Sequence, residues 1–379
     1  MTRTDFLLIA PELWVLTMTC VILMVDLFLK EERRGIVHLL AMVTLVFAAI
    51  ITLRVDDSMS SGSAALAFNG SFVRDQMGDM LKLFSYFVLA MVFIYAKFCL
   101  RQFRMFRSDF YTLSLEALLG MMLLISANSL IMIYLGLELS ALSGYALVAF
   151  NRGSSRGSES AMKYFILGSM ASGLLLYGAS LVYGYAGTTL FSGIIQTAVH
   201  GEVSLGLLFG LIFLICGFAF KVSAVPFHMW TPDVYDGAPS YVTGFMATAV
   251  KAAGIAILVR FAILMQPQLA FAWYPVLVAL AILTMSVGNL VALAQSNIKR
   301  MLAWSSIAHA GYLLLGVVTM ISPPAGGSDM MMRGQEIAES SGAAILFYLV
   351  GYSLMNLAAF GIVNVMSHQK GEDADQIDR

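Results

Sequence analysis

The chain has 379 residues, of which 59% are hydrophobic and only 12% are charged, and its formal net charge is -1. A soluble domain carries about 25% charged residues, so this composition excludes an ordinary soluble protein and predicts a polytopic membrane protein. The near-zero charge gives no indication of a nucleic-acid partner. No GxGxxG or P-loop pattern occurs and the cysteines are isolated, so we expect no nucleotide, metal or iron–sulfur cluster bound to this chain.

Eleven apolar runs along the chain are each close to the ~20 residues that cross a bilayer as a helix. They predict an all-α fold with about eleven transmembrane helices. The first run lacks a basic segment before it and a small-residue cleavage site after it, so we expect a retained span and not a cleaved signal. The predicted spans are 6–29, 36–53, 77–100, 110–127, 129–150, 160–184, 205–223, 241–264, 272–295, 299–321 and 342–366.

The seventh span is predicted to be broken. Lys221 follows a long apolar run, and five residues later Pro226 removes a backbone donor and interrupts the helix. A short piece around 227–235, which contains His228, continues it. Irregular backbone at membrane depth occurs only where it is buried in protein or lines a wet cavity, so the break indicates a polar pathway.

Basic residues predict the orientation of the chain. With the N-terminus outside, twelve basic residues lie in inside segments and five in outside segments, which is the distribution that the positive-inside rule favours. The three longer polar loops, 54–76, 185–204 and 322–341, then lie outside, and the acidic tail lies inside.

Residues 143–145 (Ser-Gly-Tyr) and 310–312 (Ala-Gly-Tyr) form an internal echo at an offset of 167 residues. Transporters often consist of inverted repeats with broken helices at matching places. We therefore expect three N-terminal helices (1–108), a first five-helix repeat with the broken helix (109–265), and a partial second inverted repeat with an acidic tail (266–379). The second copy would extend beyond residue 379 and would include a second broken helix, so we expect either that this chain is shortened at its C-terminus or that the remainder is supplied by another chain.

Three ionisable side chains are expected deep in the membrane. Glu138 lies nine residues into its span, about 14 Å deep, and Lys251 lies at a similar depth, whereas Lys221 lies on the inner side of the centre. Burial favours the neutral forms and pairing favours the charged forms, so a Glu138–Lys221 pair predicts a proton relay. A structural ion pair that fixes helix packing is the alternative.

The positions of the remaining candidates allow more than one interpretation. His309 lies near mid-membrane and suits a proton relay, whereas His228 suits a relay or the capping of the broken helix. Lys163 lies within a turn of a span end, where a relay and simple snorkelling to the interface are equally good interpretations. Lys82 and Glu116 lie near span ends and are interpreted as interfacial side chains.

Several blocks carry a family resemblance. Lys221 with VPFHMWTPDVYDGAP, then TAVKAAGIAILVR, YLGLELSALSGYAL, SAMKYFILG and QSNIKRMLAWSSIAHAGYLLLG, resembles the antiporter-like membrane subunits of respiratory complex I over nearly the whole chain. The resemblance implies a proton-translocating subunit of NADH:quinone oxidoreductase with no cofactor of its own. FMN, iron–sulfur clusters, NADH and quinone would then be bound by other membrane-arm and peripheral-arm subunits.

The same resemblance implies which residues translocate protons. They are Glu138, Lys163, Lys221, Lys251 and His309. Our own hypothesis for the coupling is that a charge change near Glu138 weakens its pairing with Lys221 and so releases a proton from the lysine. The expected location is a bacterial inner membrane, with a mitochondrial inner membrane as the alternative. A subunit of a multisubunit cation/proton antiporter or membrane hydrogenase and a non-pumping membrane scaffold stay open as alternative functions.

Overall fold

The computed structural model describes residues 3–30, 33–58, 64–102, 105–200, 204–264, 270–321 and 328–370. Eleven helices in the described part are long and apolar enough to span a membrane, which confirms the predicted number and order of spans. The helices are α1 (Arg3–Leu8), α2 (Ala10–Phe28), α3 (Gly35–Ser58), α4 (Gln76–Gln102), α5 (Ser108–Ile125), α6 (Leu130–Val148), α7 (Ser155–Ala186), α8 (Phe191–His200), α9 (Leu205–Val222), α10 (Trp230–Gly237), α11 (Ser240–Phe245), α12 (Lys251–Leu264), α13 (Ala270–Leu293), α14 (Ile298–Ile321) and α15 (Ser328–Lys370).

The polar loops contain more regular structure than the sequence predicts. Loop 54–76 forms an antiparallel hairpin of β1 (Ala65–Ala67) and β2 (Phe72–Arg74). Loop 185–204 contains the short helix α8, and α15 begins inside the third predicted loop. Short strands and a ten-residue helix produce no long apolar run, which explains why hydropathy alone misses them.

The tight connection between α5 and α6 packs against the hairpin. The Asn128 backbone amide donates to the Ser71 carbonyl (2.9 Å), its side-chain amide donates to the Gly70 carbonyl (2.8 Å), and the Val73 amide donates to the Ser126 carbonyl (2.9 Å). These bonds satisfy backbone groups that a four-residue turn would otherwise leave unpaired. The turn can therefore be as short as the sequence indicates.

The chain divides into two compact units. The first contains 1–165, 237–253 and 356–374, and the second contains 166–236, 254–355 and 375–379. In the first unit α5 and α6 pack at backbone distance, because Gly120 and Gly136 face each other: a Cβ at Gly120 would lie 2.8 Å from the Gly136 carbonyl oxygen. Small residues at such crossings are the usual means of close helix packing in membranes.

Candidate functional site

The predicted site residues are distributed over both units. The first unit holds Glu138, Lys163 and Lys251, and the second holds Lys221, Pro226, His228 and His309. The predicted Glu138–Lys221 pair joins residues of different units and stays a prediction.

Lys221 is the penultimate residue of α9 and its side chain is buried, with 7% of the residue exposed. The helix ends at Val222 because Ser223 adopts a left-handed conformation (φ 66°), and residues 223–229 are not helical. Pro226 lies inside this irregular segment and follows a cis peptide bond. The last helical residue, Val222, therefore lies four residues before the proline, and Pro226 occupies the middle of the break.

Side chains on both sides of the break satisfy its polar groups. Trp230 Nε1 donates to the Phe220 carbonyl (3.0 Å), and the Thr231 hydroxyl donates to the Ser223 hydroxyl (2.6 Å). From α13, the Thr284 hydroxyl accepts the backbone amide of Val225 (2.9 Å). Buried polar groups without partners are costly, so these bonds stabilise irregular backbone beside Lys221.

The short helix α10 is fixed to the beginning of α14. The Arg300 guanidinium donates to Asp233 (3.1 Å) and lies 4.0 Å from Asp236, while buried Lys299 donates to the Asp236 backbone carbonyl (2.8 Å). Asp233 thus has a cationic partner from another helix. The sequence shows an acidic segment and, more than 60 residues later, a Lys-Arg pair, and nothing in it indicates that the two meet.

His228 lies between two spans, in the irregular segment. Its ring packs against the Trp304 ring, with 5.2 Å between centroids, and its Nδ1 is buried without a hydrogen-bond partner in the described part of the chain. Burial lowers the pKa of His228 below its usual 6.5, and the nearby Pro226 backbone opposes this effect in part. Burial therefore favours the neutral form of His228.

His309 lies in α14 inside a cluster of tyrosines. Its Nδ1 is hydrogen-bonded to the Tyr348 hydroxyl, and its ring packs against the ring of Tyr352 at 4.8 Å between centroids. The Tyr352 hydroxyl in turn donates to the buried Ser306 hydroxyl (2.7 Å). Sequence reasoning identified His309 by its depth and by the family resemblance, but it missed these tyrosines, because they come from α15, about 40 residues later.

Lys251 lies at the middle of a fully buried span. The span Ser240–Ala262 consists of α11, a π-helical segment (Met246–Val250) and α12, and Lys251 is only 2% exposed. π-Helical turns inside α-helices occur frequently at functional sites. One turn later, Gly254 packs against the Lys221 side chain: an added Cβ would lie 3.4 Å from Lys221 Cγ.

Glu138 and Lys163 have contrasting environments. Glu138 is half-buried in α6, and its Oε1 is buried without a hydrogen-bond partner in the described residues. Lys163 is exposed on α7 and pairs with Glu159, one turn earlier, at 2.8 Å. A deep carboxylate with an unsatisfied oxygen suits proton exchange, whereas the Lys163 pair is a surface contact within this chain.

Sequence reasoning missed a buried charge cluster in the first unit. Lys82 is fully buried and pairs with Glu12 at 2.7 Å, so its interpretation as an interfacial lysine is wrong. Arg74 pairs with Asp79 at 2.8 Å and donates to two backbone carbonyls. These partners come from α2, β2 and α4, and a single sequence does not reveal that they meet.

Among the described residues, no group of three or more His, Cys, Asp or Glu side chains is placed to hold a metal ion. The arrangement offers protonatable lysine, histidine, tyrosine and carboxylate groups at membrane depth. Such groups can accept and release protons.

Known proteins resemble the chain over almost all of its length. The family described as NADH:quinone oxidoreductase/Mrp antiporter, TM, matches residues 127–379. NADH-quinone oxidoreductase subunit N of Thioalkalivibrio sulfidiphilus (strain HL-EbGR7) is 43% identical over 376 residues, which cover 99% of this chain and 74% of that protein.

Two solved structures share the fold. Respiratory complex I from Thermus thermophilus with bound aureothin has a TM-score of 0.73 at 33% identity, covering 93% of this chain and 70% of the matched chain. The membrane-bound sulfane sulfur reductase, an archaeal respiratory membrane complex, has a TM-score of 0.76 at 22% identity, covering 96% and 72%. The second likeness concerns the fold alone.

Proposed function

The chain belongs to the NADH:quinone oxidoreductase/Mrp antiporter family, and on this premise we propose that its buried lysines and histidines carry protons across the membrane. The chain is a proton-translocating membrane-arm subunit of an NADH:quinone oxidoreductase, and the other subunits of that complex are its partners. It is a multi-pass protein of a bacterial inner membrane. FMN and iron–sulfur clusters, in this proposal, belong to partner subunits.

The observation that carries the proposal is the position of Lys251. It lies eleven residues into its span, about 16 Å from the helix start, and no residue of that span has substantial exposure. The apolar residues of this span are therefore packed against protein and not against lipid. The Lys251 side chain cannot extend to the membrane interface to hydrate its charge. An ionisable group that is costly at this depth is expected to have a function in ion or proton transfer.

The proposed route uses residues of both units. Protons enter from the inner side, load Lys221 or Lys251, and move along a polar axis through His309. A charge change near Glu138 weakens its interaction with Lys221, and the lysine then releases its proton. The irregular segment 223–229 supports this role, because its backbone is satisfied by side chains and need not be helical.

We further propose that the N-terminus faces outside the inner membrane. The end of α2, the beginning of α5 and the end of α6 lie at one side of the first unit, since residues from all three line one cleft. Arg107 and Arg152 lie there, and Arg34 donates to the Phe106 carbonyl at the same side. This concentration of arginines supports an inside location for that side.

The test is NADH-driven proton translocation by inverted membrane vesicles that contain the complete complex. Lys221→Ala and Glu138→Ala should strongly reduce proton uptake per NADH oxidised, while Lys97→Ala, which changes a lysine near a span end, serves as the matched control. Wild-type translocation by both variants, with assembly intact, would refute the assignment. Variants that lower assembly but keep turnover per assembled complex would indicate a scaffold.

A further inference from the structure

A cleft of about 410 Å³ opens in the first unit between three spans. It is lined by Leu23 from α2, by one face of α5, and by the end of α6 with the residues that follow it. Because α2 and α6 both end here while α5 begins here, the cleft opens at a single side of the membrane. In the proposed orientation this is the inner side.

Glu116 is one of the residues that line this cleft. It is eight residues beyond Ser108, the first residue of α5, which places it about 12 Å from the helix start. Its side chain is half-buried, and no hydrogen bond or ion pair to it occurs among the described residues. The carboxylate stem is short, so Glu116 cannot reach the interface as a lysine does.

The lining of the cleft combines apolar side chains with charged ones, and the charged ones can hold water. Arg107, Asp109 and Arg152 are exposed at its opening, and buried Thr112, whose hydroxyl donates to the Ser108 and Asp109 carbonyls, lies along α5 between Asp109 and Glu116. Two arginines and two carboxylates balance in formal charge, so the cleft does not select anions or cations strongly. A free carboxylate at membrane depth is costly in lipid, and a wet cleft removes that cost.

We propose that Glu116 is a carboxylate at which protons enter this subunit from the inner side, through a water-filled cleft that opens between Arg107, Asp109 and Arg152. In the uptake step a hydronium ion in the cleft transfers its proton to a Glu116 oxygen and leaves as water. In the release step the protonated carboxyl transfers the same proton to a water farther from the opening than Glu116, and that water becomes a hydronium ion. This inference rests on the proposed function, because it supplies the inner entrance that the route requires.

The first experiment tests whether the cleft is wet, independently of proton translocation. Glu116→Cys in the complete complex should react with a charged, membrane-impermeant thiol reagent. The reagent is added to the medium outside inverted vesicles, where the inner face of the membrane is exposed. Ser114→Cys is the matched control, since Ser114 lies on the same helix and is 1% exposed. Labelling of Glu116→Cys above the wild-type background and above Ser114→Cys is expected. Equal labelling at background level would overturn the proposal.

The second experiment measures the initial rate of NADH-driven proton uptake per assembled complex. Glu116→Gln keeps the shape but cannot bind the transferred proton, so the rate should fall about tenfold or more, whereas Glu116→Asp should keep most of it. Uptake by Glu116→Gln at the wild-type rate would refute the role. If Glu116→Gln takes up protons at the wild-type rate while Lys221→Ala abolishes uptake, only this inference fails. If both variants take up protons normally, the proposed function fails as well.

Discussion

Replacing Glu12 by alanine would leave the Lys82 ammonium buried without its carboxylate. The two side chains are 0% and 2% exposed and their charged atoms are 2.7 Å apart, so neither can turn to water. Removing one partner of such a pair costs about 3–5 kcal/mol, because an uncompensated charge stays in a low dielectric. The Phe72 ring, 5.1 Å from the ammonium, offsets about 0.5–2 kcal/mol of that cost.

Removing both charges should cost far less than removing one. Well-packed apolar residues that replace a buried pair are often neutral or stabilising by about 1–4 kcal/mol. The double variant Glu12→Leu, Lys82→Met is therefore expected to have a free energy of unfolding close to that of the wild type. The assay is reversible unfolding in mixed detergent micelles, arranged as a double-mutant cycle. We expect a coupling free energy of about 2 kcal/mol or more between the two positions.

The exposed Lys163–Glu159 pair is the matched control for this cycle. Its side chains are 45% and 66% exposed, and its 2.8 Å separation is nearly the same as that of the buried pair. An exposed i,i+4 pair contributes about 0.3–0.5 kcal/mol. Additivity within about 0.5 kcal/mol at Glu12 and Lys82 would refute the reasoning, because it would show that solvent screens a pair the structure buries.

Protonation of His228 should quench the fluorescence of Trp304 with a midpoint below pH 6.5, because burial lowers the pKa of His228. The unfolded state then binds more protons than the folded state, so the packing at the break should weaken as pH falls below 6.5 and not as pH rises. A midpoint at or above 6.5, or quenching that persists in H228Q, would contradict this. Tyr348→Phe removes the hydroxyl bonded to His309 and should slow proton uptake per assembled complex about two- to tenfold, whereas Tyr352→Phe, which leaves that bond intact, should not. Gly120→Ala should destabilise the purified protein by about 1–3 kcal/mol in the same unfolding assay, because the new methyl group meets backbone atoms of α6 that cannot rotate away, and a loss below about 0.5 kcal/mol would contradict that packing.

The number, order and approximate limits of the spans followed from the sequence, as did the broken seventh span. Crossing a bilayer requires about 20 consecutive apolar residues whatever the neighbours are, so this signal is local. The candidate residues Glu138, Lys221, Lys251 and His309 were found for the same reason: a charged or titratable side chain in an apolar run is visible without any knowledge of its partners.

The partners themselves were decided only by the tertiary structure. Lys82 appears in the sequence as a lysine near a span end, yet it is fully buried because Glu12, 70 residues earlier, lies against it. Glu116 likewise appears near a span end, whereas packing of three helices places it in a cleft. Depth along one helix is encoded locally, but whether a side chain faces lipid, water or an opposite charge depends on helices that are distant in sequence.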